Sequence, residues 1–139
     1  MVDKTLDKLI KNYRSKTINE LLGHKPNKEN LEHWSNLVRK CNALEDKLVD
    51  RMTIEEMRLM MSQDIGTQFI LPFAILELRK DILAEGDMYP GDLLNNILRL
   101  PHVFWKEHTE LKQIIIGLVT DNAEVLEGEK VSFREFLKQ

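Results

Sequence analysis

The stretch Leu83-Ala84-Glu85-Gly86-Asp87-Met88-Tyr89-Pro90-Gly91-Asp92-Leu93-Leu94 is the sharpest break in an otherwise helical sequence. An apolar run, Phe69-Ile70-Leu71-Pro72-Phe73-Ala74-Ile75-Leu76, comes before it, and Leu93, Leu94, Ile97 and Leu98 follow at helical spacing. Gly86 and the Pro90-Gly91 pair are turn formers, because glycine tolerates positive φ and proline holds φ near about −65°. Glu85, Asp87 and Asp92 crowd the turn with no basic residue among them. The next helix is expected to begin near Pro90 or Gly91, where carboxylates offset the partial positive charge of a helix start. Two readings stand side by side. One is a tight loop and a helix start. The other is an acidic, exposed contact surface.

Working outward, the run from Phe69 to Leu76 is apolar on nearly all sides, which marks a buried helix. A helix over about 67–82 is therefore placed at the centre of the molecule. Pro72 either kinks it or marks its first turn. Gly66 ends the preceding helix, and Thr67 is a candidate cap for the central one. That preceding helix runs from Thr53 to about Asp64, opened by the capping box Thr53-Ile54-Glu55-Glu56. Ile54, Met57, Met61 and Ile65 line its buried stripe with Met60 beside them. Met57, Met60 and Met61 fill core, or else form a pliable binding surface.

Further upstream, Leu6, Leu9, Ile10 and Tyr13 predict an amphipathic helix over 3–14. Residues 15–28 read as a loop, or as a helical turn around Ile18, Leu21 and Leu22. A second helix is expected over 28–48, with Leu31, Trp34, Leu37, Val38, Cys41, Leu44 and Leu48 on its apolar face and His33 on the polar side.

Downstream, a helix is expected from about Pro90 to Leu100, and Pro101 ends it. Phe104 and Trp105 pack on the core. A long helix over 107–126 carries Leu111, Ile114, Ile115, Leu118, Val119 and Asn122 on one face, with Gly117 as a point where another helix comes close. Its start bears Glu107 and Glu110 and its end Asp121, Glu124 and Glu127. Acids at a helix end oppose the dipole, which hints at a role other than stability. Ser132-Phe133-Arg134-Glu135 is a second possible capping box, and Phe133, Phe136 and Leu137 dock the helix that follows. The expected fold is all-α: a single-domain helical bundle of about six or seven helices around the central apolar helix, spanning residues 1–139.

Composition agrees. In 139 residues, 42% hydrophobic and 31% charged, there is room for one core but not two. The lone Cys41 excludes an internal disulfide and fits a reducing compartment. The N-terminus is too charged for a signal peptide, so none is expected, and the longest apolar run is too short for a membrane span. A cytoplasmic protein without membrane contact is expected. Residues 1–52 hold 11 Lys and Arg against 8 Asp and Glu, and residues 53–139 hold 9 against 15. An acidic body argues against direct nucleic-acid binding and suits a basic partner.

The turn and its flanks also resemble a known family. Glu85-Gly86-Asp87-Met88-Tyr89-Pro90-Gly91-Asp92-Leu93-Leu94 is similar to the central motif of bacterial contact-dependent growth inhibition immunity proteins: an acid, Gly-Asp, an aromatic, Tyr, a variable residue, then Gly-Asp-Leu-Leu. The resemblance extends upstream to Thr53-Ile54-Glu55-Glu56-Met57-Arg58-Leu59-Met60-Met61-Ser62-Gln63-Asp64-Ile65-Gly66. It continues through Pro72, Ala74 and Leu76, and on to Leu98-Arg99-Leu100-Pro101 and Phe104-Trp105. Met88 stands in place of the aromatic, and Met57, Met60 and Met61 where Leu is commoner. Residues about 53–105 carry the match, and the first 50 and last 30 or so carry none.

The resemblance implies an immunity protein that binds and neutralises the cognate C-terminal toxin domain of a contact-dependent inhibition exoprotein, a nuclease with RNase preferred. The toxin-binding candidates are then Glu85, Asp87, Asp92, Glu107, Glu110, Asp121, Glu124 and Glu127. No catalytic residue, cofactor or metal site is assigned. There is no phosphate-binding glycine loop, no zinc-ligand spacing and no nucleophile elbow. His102 and His108 are expected to face solvent. Two alternatives remain: a helical adaptor with an unrelated protein partner, and a metal-dependent enzyme built on the Glu85, Asp87 and Asp92 carboxylates.

Overall fold

The computed structural model describes residues 2–26 and 32–139. Among them, ten α-helices and one 3-10 turn make an all-α fold round a single hydrophobic core. The count exceeds the six or seven expected because short helices form at residues 18–22 and 102–107 and the segment expected as one helix over 107–126 is broken in two. The helices are α1 (Val2–Tyr13), α2 (Ile18–Leu22), α3 (Asn36–Leu44), α4 (Ile54–Ser62) and α5 (Thr67–Lys80), followed by α6 (Asp92–Leu98), α7 (His102–Glu107), α8 (Thr109–Asp121), α9 (Ala123–Glu127) and α10 (Phe133–Leu137). The 3-10 turn, Val49–Arg51, lies between α3 and α4.

Helix α5 is the central one. Nine of its fourteen residues are buried, from Thr67 to Leu78. It touches α1, α4 and α8, and α4 also packs on α6. Pro72 lies inside α5 rather than at its first turn. It withholds one N–H from the carbonyl of Gln68, an exposed residue that water reaches. Thr67 is not the cap. Gly66 takes that place with φ 66°, and the Thr67 hydroxyl donates to Asp64 Oδ1 at 3.2 Å. A side chain at Gly66 would meet Ile18 Cδ1 at 2.6 Å, so α2 rests directly on the α4–α5 turn.

The Thr53 capping box forms in full, and Met57, Met60 and Met61 are all buried, so these methionines fill core. A second capping box, Thr17 with Glu20, opens α2. Of the two readings of this segment, loop or helical turn around Ile18, Leu21 and Leu22, the helical turn is the one that forms, and it lasts five residues. The Ser132 box does not form: the Ser132 side chain makes no cap bond. Of the docking residues there, Phe133 and Phe136 are buried but Leu137 is exposed. Gly117 faces open space, with no atom near its missing side chain, so it admits no neighbouring helix.

The expected helix over 28–48 is shorter. Ser35 accepts the Val38 N–H at 3.2 Å and starts α3 late. Cys41 and Leu44 reach the core, but Trp34, Leu37 and Val38 are left outside. Residues 27–31, including Leu31 of the expected stripe, lie outside the described residues. The long helix expected over 107–126 begins at Thr109 and breaks at Asn122, whose Nδ2 donates to the Leu118 carbonyl at 2.8 Å. Among the described residues no helix is long and apolar enough to cross a membrane.

Candidate partner-binding surface

The acidic turn is folded around one carboxylate. Asp92, in the first turn of α6, is only 3% exposed. Its Oδ1 accepts the Gly86 N–H at 2.7 Å, and its Oδ2 accepts Met88 N–H at 3.0 Å and, more weakly, Tyr89 N–H at 3.5 Å. Arg58 Nε stands 3.9 Å from the same Oδ2. Arg58 in turn grips Glu55 with two bonds, Nε to Oε1 at 2.7 Å and an outer nitrogen to Oε2 at 2.5 Å. Glu55 Oε1 closes the circuit by accepting the Asp87 N–H at 2.9 Å. The Arg58 hydrogen bond holds the Glu55 carboxyl below its ordinary range against the opposing effect of burial, with the Asp87 amide helping. Glu55 raises Arg58 correspondingly.

The glycines of the motif follow from this packing. A Cβ at Gly86 would stand 2.5 Å from Glu55 Oε1 and 3.2 Å from the Glu55 Cα, where backbone cannot yield. Gly91 has φ 87° and caps α6 in the left-handed region. Tyr89 is fixed through its hydroxyl, which accepts from Asn95 Nδ2 at 2.7 Å, while Asn95 Oδ1 accepts the Ser132 N–H at 3.2 Å. Asn96 Nδ2 donates to the Arg58 carbonyl at 3.1 Å. The loop, α4, α6 and the C-terminal segment are thus one hydrogen-bonded unit. Glu55, Arg58, Asn95 and Asn96 belong to this unit and were not singled out from the sequence. Glu55 and Arg58, as an i, i+3 acid–base pair, were the available signal.

The eight acids expected at the partner surface therefore separate. Asp92 is turned inward and is not surface. Glu85 and Asp87 are exposed on the loop, beside Met88 at 65% exposure. Glu107 ends α7 and Glu110 opens α8, where Glu110 Oε2 accepts from the Thr5 hydroxyl at 2.5 Å. Asp121, Glu124 and Glu127 are exposed around the α8–α9 junction. The break at Asn122 places Glu124 in the first turn of α9, where a carboxylate suits the dipole, and Glu127 is paired with Arg134. Glu124 and Glu127 are therefore not opposed to stability as the unbroken helix implied, whereas Asp121 still ends α8.

Burial pushes the Cys41 thiol up, and Glu45 adds to the effect. His102 is exposed, whereas His108 is half-buried against the Phe104 ring, with centroids 4.4 Å apart. Among the described residues no three His, Cys, Asp or Glu side chains converge as a metal site.

Two clefts meet at the α4–α5 turn, one lined also by α2 and α3 and the other by α2, α5 and α7. The first, about 510 Å³, has Trp34, Leu37 and Val38 in its wall. The second, about 340 Å³, runs between Leu22 and Val103 over Phe69 and Phe104.

A polar cluster that holds a loop, together with exposed apolar side chains along two clefts, points to a protein that works through its surface. The comparison with protein families agrees. The model of the CDI immunity proteins matches residues 21–115, more than half of the chain, and the chain belongs to that family. The match begins well upstream of Thr53, so it takes in the last two residues of α2 and all of α3, which the motif residues did not reach. No curated protein and no solved structure compared with the chain matches it.

Proposed function

We propose that this chain binds the cognate C-terminal toxin domain of a contact-dependent inhibition exoprotein, one to one, and so neutralises it in the cytoplasm. The toxin is a nuclease, with an RNase preferred. Family membership over residues 21–115 carries the reading. A nuclease must hold phosphates with lysines and arginines, so its substrate channel is basic. The exposed acids Glu85, Asp87, Glu107, Glu110, Asp121, Glu124 and Glu127 supply the complementary charge. Asp92 drops out of the contact set and serves the loop. The chain acts by occupying or blocking the toxin, with no catalytic step of its own.

The test is a mixing experiment with the toxin domain encoded beside this chain. Calorimetry is expected to show a one-to-one complex, and nuclease activity is expected to disappear in the same proportion. Binding without loss of nuclease activity would replace the inhibitor with a helical adaptor. No binding at all would reject the toxin as partner.

A further inference from the structure

Eight large apolar side chains are exposed among the described residues, and five of them line the two clefts at the α4–α5 turn: Trp34, Leu37 and Val38 the first, Leu22 and Val103 the second. Single exposed apolar residues are ordinary, but a contiguous row marks a contact surface. The two clefts share a wall. Gln63 and Ile65 line the first, and Asp64 and Gly66, alternating with them along the chain, line the second. The two clefts therefore flank the α4–α5 turn, which stands as a ridge between them, and together they form one interrupted groove.

Its charge is uneven. The first cleft mixes His24 and Lys25 with Glu45. The second holds Asp64 and Glu107 with no lysine or arginine, and His108 is its other titratable group. Neither of those two carboxylates has an ion pair among the described residues. Val103 is 61% exposed and Leu22 43% exposed on its rims. An apolar slot with carboxylates and no cation fits a side chain with an aliphatic stem and a positive head.

Resting on the immunity reading above, we propose that this groove is where the toxin docks. A toxin arginine or lysine lays its stem between Leu22 and Val103 and brings its charge to Asp64 and Glu107. Apolar toxin side chains next to it cover Trp34, Leu37 and Val38. Tryptophan and arginine are the residues on which interface energy most often concentrates. The acidic loop lies at the other end of α4. Glu55 touches that loop, and Ser62 precedes the groove, about 10 Å further along the axis. The two surfaces are separable by mutation.

The experiment titrates the toxin domain into the wild-type chain, Val103→Asp, Glu107→Lys, Asp87→Lys and a control, Glu135→Lys on α10. Thermal midpoints check that each variant is folded. Val103→Ser and Glu107→Gln serve if the stronger changes unfold the chain. Val103→Asp and Glu107→Lys are expected to raise Kd at least tenfold, with Glu135→Lys within twofold of wild type. Glu107→Lys is also expected to flatten the salt dependence of Kd. Kd within twofold for both groove variants overturns the groove while leaving the immunity reading intact. Weakening by Asp87→Lys alone moves the contact to the loop and overturns it too. A wild-type chain that does not bind rejects the immunity reading itself.

Discussion

At the scale of single residues, Asp92 shows how a carboxylate in a sequence motif can be structural. Its oxygens satisfy backbone N–H groups that the loop would otherwise leave bare. Asp92→Ala is expected to lower unfolding free energy by about 3 kcal/mol, because buried donors lose their acceptor. Asp87→Ala, on an exposed side chain, is expected to change it by less than about 0.5 kcal/mol. Urea unfolding of both variants measures the contrast, and equal effects would contradict the geometry. Gly117 makes the opposite case. It sits exposed inside α8 with open space where a Cβ would go. Gly117→Ala is expected to stabilise by about 0.5–1 kcal/mol, chiefly by narrowing the unfolded ensemble. A higher urea midpoint with an unchanged slope is the expected reading.

At the scale of elements, the joint between α4 and the loop depends on ionised Glu55. Its folded pKa lies below the unfolded one, since Arg58 favours the charged form. The stabilisation is therefore present above the ordinary carboxylate range and drains away as pH falls through the folded value. Glu56 behaves alike: burial raises it, but the Lys47 bond at 2.6 Å and the Thr53 amide outweigh burial. Urea midpoints taken from pH 7 downward are expected to fall below about pH 4. The fall is expected to be shallower in Glu55→Gln. A parallel course would remove Glu55 from the account. The terminal helix α10 is held by Phe136, 1% exposed and edge-on to Trp105 at 5.5 Å. Phe136→Ala is expected to cost about 3–5 kcal/mol, read as a lower denaturation midpoint. Gly86→Ala is expected to displace the loop rather than the core, because the added carbon meets the Glu55 backbone.

At the scale of the whole molecule, the proposed docking assigns long-range attraction to charge and close contact to the apolar clefts. Residues 53–139 carry 15 acids against 9 bases, so under the proposed function the body of the chain would supply long-range attraction for a basic toxin. Raising ionic strength tenfold is expected to slow association with the toxin by at least about tenfold, while dissociation changes less. Stopped-flow mixing at two salt concentrations separates the two rates. Equal slowing of both would remove charge steering.

Much of this molecule was legible along the chain. The apolar run from Phe69 to Leu76 placed the central helix, because a helix apolar all round has only one place to go. The Thr53 box and the Gly66 break set the limits of α4 within two residues, since capping is local chemistry. The motif at 85–94 pointed to the family, and the match over residues 21–115 bears that out. What the sequence could not decide was which acids face water. Glu85, Asp87 and Asp92 are chemically alike, and only the approach of α4, with Glu55 and Arg58, turns Asp92 inward and leaves the other two out. The exposed apolar face was hidden for the same reason. Trp34, Leu37 and Val38 have the spacing of core residues, but Ser35 starts α3 so that only Cys41 and Leu44 meet the body. Periodicity records which side chains share a face of a helix. Whether that face is covered depends on the elements brought against it by contacts distant in sequence.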